Sequence, residues 1–157
     1  MAPFSRISSV PHLERITAAL KRGDPAQAIG SAKELIESTA KLVLRQLEVD
    51  AGDKLELPDL VRRAQDALAI HPSSAVAGPD SSESVRKIFG GAMTIATSIA
   101  ELRNRGYGTG HGPANARIGL GPRHARLTIN AARLWCEFLL DTLADEQAPW
   151  RKRATSE

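Results

Sequence analysis

A chain of 157 residues, 42% hydrophobic and 25% charged, is one domain's worth of sequence with enough apolar content for a single core. Its net charge of +3 and pI near 9.4 come from clusters, "KR" at 21, "RR" at 62, "RNR" at 103, "PRHAR" at 122 and "RKR" at 151. These permit a polyanionic partner without demonstrating one, since most such groups are simply solvated helix faces. The lone Cys136 excludes an intrachain disulfide and no Cys/His spacing fits a zinc site.

The N-terminus, "MAPFSRISSV", lacks a continuous apolar segment, and no stretch reaches the roughly 20 apolar residues of a membrane span. The expectation is a cytoplasmic, soluble protein with no membrane partner, no metal and no cofactor.

Helical periodicity dominates the chain. The first candidate, "SVPHLERITAALKRG", places Pro11 in a first turn and Gly23 as the stop. Asp24 then caps a longer helix, with Pro25 at its first position, through "AQAIGSAKELIESTAKLVLRQLEV", where Ile29, Ala32, Leu35, Ile36, Thr39, Leu42, Val43 and Leu47 trace one apolar stripe. A turn at "DAGDKLEL" leads to a third helix, "PDLVRRAQDALAI", with Leu60, Val61, Ala64 and Leu68 inward. "HPSSAVAGPDSS" reads as an exposed loop.

A fourth helix, "ESVRKIFGGAMTIATSIAELRNR", carries two adjacent stripes, one of Val85, Phe89, Ala92, Ala96 and Ile99, the other of Ile88, Ile95 and Leu102. It is expected to be buried on more than one side. Pro122 opens a fifth, "PRHARLTINAARLWCEFLLDTLADEQ", with Leu127, Asn130, Ala131, Leu134, Trp135, Phe138, Leu139 and Thr142 wholly or partly inward, and "APWRKRATSE" follows as a loose tail. The fold class is therefore all-α, an antiparallel bundle of four main helices plus a short N-terminal one.

One stretch stands out chemically: "RNRGYGTGHG", residues 103 to 112. Its glycines alternate after a helix, so it is neither the G-x-G-x-x-G of a dinucleotide turn nor a Walker A loop. Gly106 suits a left-handed helix stop, with Arg103 and Arg105 complementing the negative helix end. That leaves Gly108, Gly110 and Gly112 around His111 unexplained, and so little side chain lets a bulky ligand approach the imidazole.

Imidazole beside guanidinium suits metal-independent RNA cleavage. A base removes the ribose 2'-OH proton, the oxygen attacks the adjacent phosphate, and a cation holds the added negative charge. His111 is the candidate base or acid, and Arg103 the candidate phosphate clamp.

"GDPAQAIGSAKELIESTAKLVLRQLEVD", "LPDLVRRAQDAL", "KIFGGAMTIATSIAELRNRGYGTGHG" and "PRHARLTINAARLWCEFLLDTL" resemble, in that order, the abortive infection C-terminal (Abi-C) domain of the HEPN superfamily of helical nucleases. The resemblance covers about residues 23 to 145, leaving a short N-terminal helix or arm at 1–22 and a flexible basic tail at 146–157. It implies a HEPN-like bundle that dimerises, with an Arg-x(4 to 6)-His motif meeting its copy across the two-fold axis. Arg103 and Asn104 match the Arg-Asn pair and His111 the histidine, although seven residues separate Arg103 from His111. Counting from Arg105 gives five, but Asn104 then precedes the arginine.

The function implied is a metal-independent endoribonuclease of phage defence or a toxin, with RNA as substrate and each half-site completed by a second copy. The alternative is a non-catalytic module that binds RNA or a partner protein. Domains of this kind commonly end longer defence proteins, so a sensor or antitoxin on another chain is an expected partner.

Met93, Ala96, Ala100 and Arg103 form a small-residue strip along which two such helices, or two helices of one chain, can approach. Among supporting residues, Arg105, Arg123 and His124 are candidates for phosphate contact, with a plain helix-start histidine as the other reading of His124. Tyr107 either stacks on a base or packs its loop onto the bundle. His12 and His71, beside prolines, carry no expected chemistry.

Overall fold

The computed structural model describes residues 15, 18, 21–104 and 119–154. Among them are the helices α1 (Pro25–Gln46), α2 (Leu57–Ala67), α3 (Glu83–Asn104), α4 (Pro122–Ala144) and α5 (Pro149–Ala154), one 3-10 turn at Pro79–Ser81, and no strand. The expected all-α bundle of four main helices is borne out. Of the short leading helix, Arg15, Ala18 and Lys21 are described and helical, and most of the rest lies outside the described residues. Arg15 lies along α1, 2.8 Å from Glu34.

Local chemistry sets the ends. Gly23 takes φ +66°, the left-handed turn that ends the leading segment. Asp24 then accepts the Gln27 N–H at 3.1 Å, capping α1 with Pro25 in its first turn.

Helices expected to run to Val49 and Ile70 stop sooner, at Gln46 and Ala67, because the chain turns left-handed at Glu48 (φ 56°) and Ala69 (φ 57°). In each case two crossed bonds close the end. Val49 N–H reaches Leu44 O at 2.9 Å and Glu48 N–H reaches Arg45 O at 3.1 Å; Ile70 and Ala69 repeat the pattern on Gln65 O and Asp66 O, both at 2.9 Å. No glycine announces either stop in the sequence.

Three contacts fix the helix directions. Phe89, early in α3, stacks on Phe138, late in α4, with ring centres 5.6 Å apart, so these two run antiparallel. Gly30, early in α1, lies against Arg103 in the last turn of α3. Cys136 of α4 meets Thr39 and Leu35 of α1. Thus α1 and α4 share one direction and α3 runs against both. The start of α1, the end of α3 and the start of α4 meet at one end of the bundle.

The core is aliphatic around one polar hub. Gln65 is fully buried on α2, at a position outside the apolar stripe of Leu60, Val61, Ala64 and Leu68. Its Oε1 accepts Trp135 Nε1–H at 2.9 Å, and its Nε2 donates to Ile70 O at 3.1 Å and Phe89 O at 3.3 Å. One amide therefore ties α2, the turn after it, α3 and α4, with its hydrogens and oxygen all engaged.

Two burial expectations are corrected. On α3 the first stripe faces the core, but Ile88 of the second is 67% exposed, with Ile95 and Leu102 only half-buried. On α4 the inward face is Ala125, Thr128, Ile129, Ala132, Trp135, Cys136, Leu139 and Leu140, whereas Leu127 is 69% and Leu134 52% exposed, and Asn130 is exposed. The buried face of α4 is thus rotated away from Leu127 and Leu134 and centred on Ala132, Trp135, Cys136 and Leu139.

The C-terminal segment also differs from the expected loose tail. Ala148 is buried, and Trp150 Nε1–H caps the end of α4 through Thr142 O at 2.9 Å. Arg151 donates to Asp145 O at 2.7 Å and Leu143 O at 2.8 Å. The unmet carbonyls at the end of α4 recruit these donors, and α5 folds back to receive them.

Candidate functional site

Of the residues singled out from the sequence, Arg103, Asn104, Arg123 and His124 fall where α1, α3 and α4 meet. Arg103 occupies the last turn of α3, where a cation complements the helix end, and is half-buried. Its side chain crosses α1 at Gly30: a Cβ placed there would lie 3.7 Å from Arg103 Nε. Glycine inside a helix costs roughly 1 kcal/mol against alanine, and here it keeps the surface beneath the guanidinium flat. Asn104, the last residue of α3, is exposed.

Arg123 and His124 form the first turn of α4 at the same end of the bundle. Arg123 is exposed and His124 half-buried. His124 also serves its own helix, because its Nδ1 accepts the Gly121 N–H at 2.9 Å and so satisfies the backbone at the helix start. That accepting geometry leaves the ring hydrogen on Nε2. The plain helix-start reading of His124 accounts for this bond, and its Nε2 remains chemically usable. The exposed Arg123 adds a cation at the positive end of the α4 dipole, a combination suited to anions.

Arg105, Tyr107 and His111 lie outside the described residues, as does Gly106. The two ends of their segment are nonetheless fixed, because α3 delivers the chain at Asn104 and α4 resumes from Gly121 at the same end.

The strip of Met93, Ala96, Ala100 and Arg103 resolves toward intramolecular packing. Ala96 and Ala100 are buried in the core and Met93 packs against it. Close helix approach within one chain consumes these small residues.

Sequence reading overlooked Gly30 and Gln65. The signal for Gly30 was present, an isolated glycine inside an otherwise strong helix. Gln65 offered none, since a glutamine beside "RR" looks like any solvated position.

Among the described residues, no group of three or more His, Cys, Asp or Glu is placed to hold a metal ion, and no helix is long and apolar enough to cross a membrane. No curated protein and no solved structure is matched by the chain. A family model, Abi_C, described as a HEPN-like domain, matches residues 11–143, in agreement with the all-α architecture; the chain belongs to this HEPN-like family.

Proposed function

We propose that the protein is a metal-independent endoribonuclease of phage defence or a toxin system, working as a homodimer. The observation that carries this reading is Arg103, laid over Gly30 at the end of the bundle where α4 begins with Arg123 and His124. A cation held by packing rather than by solvent is pre-organised for a phosphate.

In this reaction His111 takes the proton from the ribose 2'-OH, and the freed oxygen attacks the adjacent phosphorus. Arg103 holds the phosphoryl oxygens as negative charge grows on them. His111 of the partner subunit gives a proton to the departing 5'-oxygen, leaving a 2',3'-cyclic phosphate. Asn104 orients the phosphate beside Arg103, Arg105 and Arg123 hold the flanking backbone, His124 contributes its Nε2–H, and Tyr107 stacks on a neighbouring base.

The burial pattern supports a dimer surface on α3 and α4. Ile88, Ile95 and Leu102 repeat every seven residues on α3, and Leu127 and Leu134 do so on α4, with Ala131 and Phe138 between and beyond them. Ile88, Leu127 and Leu134 leave large apolar side chains in water. Covering them with a second copy puts two Arg103 ends into one assembly. Purified protein and single-stranded RNA in EDTA provide the test. The expected result is cleavage to cyclic-phosphate ends, with at least a hundredfold loss in His111→Ala and Arg103→Ala. Binding without cleavage, or cleavage unchanged by His111→Ala, would establish the non-catalytic alternative instead.

A further inference from the structure

Away from Arg103, positive charge gathers around the turn that follows α2. A depression of about 260 Å³ there is lined by Arg62, Arg63, Asp66, His71 and Ser73. Arg153 of α5 reaches this wall, donating to Asp66 O at 3.5 Å and Ser74 O at 3.0 Å. Arg86 of α3 holds the same turn through Pro72 O at 2.9 Å.

What these arginines touch matters as much as their number. Arg63, Arg86 and Arg153 each hydrogen-bond main-chain carbonyls, Arg63 through Asp50 O at 3.3 Å. Carbonyls fix the planar guanidinium without neutralising it, so three charges are oriented and remain positive. Arg62 has a carboxylate partner, Asp59 at 2.9 Å, but both side chains are about half exposed, and such a pair contributes little and is readily exchanged.

His71 completes the wall. Its Nδ1 accepts the Ser73 N–H at 3.1 Å, which leaves Nε2 as the ring nitrogen open to a ligand in the depression.

We propose that this depression binds a phosphate of the RNA strand at a distance from the cleavage position, with Arg62 and Arg63 as its principal anion contacts. The inference rests on RNA being the substrate class. Arginine forks match phosphate oxygens two at a time, and the two arginines that line the depression outnumber its single carboxylate, Asp66. Arg86 and Arg103 stand 17 residues apart on one helix, about 26 Å. That span corresponds to roughly eight stacked nucleotides at about 3.4 Å each. The second contact therefore makes a single strand lie along the bundle rather than touch only its end.

The probe is a labelled 20-nucleotide, 2'-O-methylated RNA, which cannot be cleaved, titrated by fluorescence anisotropy across a salt series. Relative to wild type, the Arg62→Ala/Arg63→Ala variant is expected to bind at least tenfold more weakly and to lower the slope of log K against log salt by about 0.7, from one lost single-strand phosphate contact. Arg133→Ala, which removes an exposed cation of α4, is the control for loss of a surface charge and changes neither. Arg62→Ala alone disturbs only the exposed Asp59 pair, which keeps the measurement interpretable if the double variant melts early.

Unchanged affinity and slope in the variants overturn the proposal. So do failure of the wild type to bind the 20-mer and displacement of the RNA by polyglutamate at equal charge. Because the probe cannot be cut, absence of nuclease activity on ordinary RNA would remove the catalytic reading while leaving this result standing.

Discussion

Arg103 and Gly30 meet across the α1–α3 contact, with Nε of the arginine 3.7 Å from where a Cβ on the glycine would sit. That spacing is ordinary van der Waals contact, so an added methyl fits. Gly30→Ala is expected to stabilise the fold by about 0.5–1 kcal/mol through helix propensity, raising the melting temperature by about 1–4 °C and leaving RNA affinity intact. Gly30→Leu has no such room. It is expected to push the guanidinium off α1 and weaken RNA binding in the anisotropy assay, and unchanged affinity there would show that Arg103 needs no platform.

The Gln65 hub predicts an asymmetry between deletion and replacement. Trp135→Phe keeps most of the apolar volume but leaves Gln65 Oε1 buried without its donor, at a cost of about 1–3 kcal/mol. Gln65→Leu strips partners from Trp135, Ile70 and Phe89 together and is expected to cost more. Urea unfolding of the two variants measures both values, and equal losses would mean that the network is not cooperative.

Cys136 predicts a pH dependence. Burial raises its thiol to about 12, against an opposing hydrogen bond from Thr39. A thiol with a raised folded-state pKa stays protonated while the unfolded chain ionises. The native state then binds more protons, and stability falls as pH rises from about 9 toward 12, by up to about 1.4 kcal/mol per pH unit. Below pH 8 this contribution is constant. Urea titrations at pH 8 and 10.5 should differ more for wild type than for Cys136→Ala, and a disulfide reagent should label the thiol only in urea.

The exposed row on α3 and α4 predicts the oligomeric state. Leu127→Glu with Leu134→Glu places charge where the structure has exposed apolar surface, so the monomer should fold with an unchanged circular dichroism spectrum. Sedimentation equilibrium is expected to show a dimer for wild type and a monomer for the variant, with RNA cleavage lost alongside. A variant that remains dimeric would move the interface to another face.

How much of this was legible in the sequence varies with the range of the physics involved. The helices, the Asp24 cap, the Gly23 stop and the α2 core face follow from local rules, which depend on residues within a turn or two of one another. The same rules located Arg103 at a helix end. They failed where a neighbouring helix made the decision. Ala96 and Ala100 looked equally suited to a second copy and to their own core, and only their burial in one chain settled the matter. Leu127 and Leu134 looked inward because they are large and apolar, yet α4 buries the face that carries Ala125, Ile129, Ala132, Trp135, Cys136 and Leu139 instead. The tail's arginines looked solvated until the carbonyls ending α4 claimed Arg151.

By itself, then, the sequence determined the helical class, the order of the elements and the residue types available for phosphate chemistry, since periodicity and capping are short-range. Tertiary structure alone decided which face of α4 is wet, that Gly30 underlies Arg103, that a buried Gln65 joins three helices, and that Arg153 is drawn to the turn lined by Arg63 and His71. The contacts behind these outcomes join groups from 24 to 101 residues apart in the chain, and no local pattern encodes such a meeting.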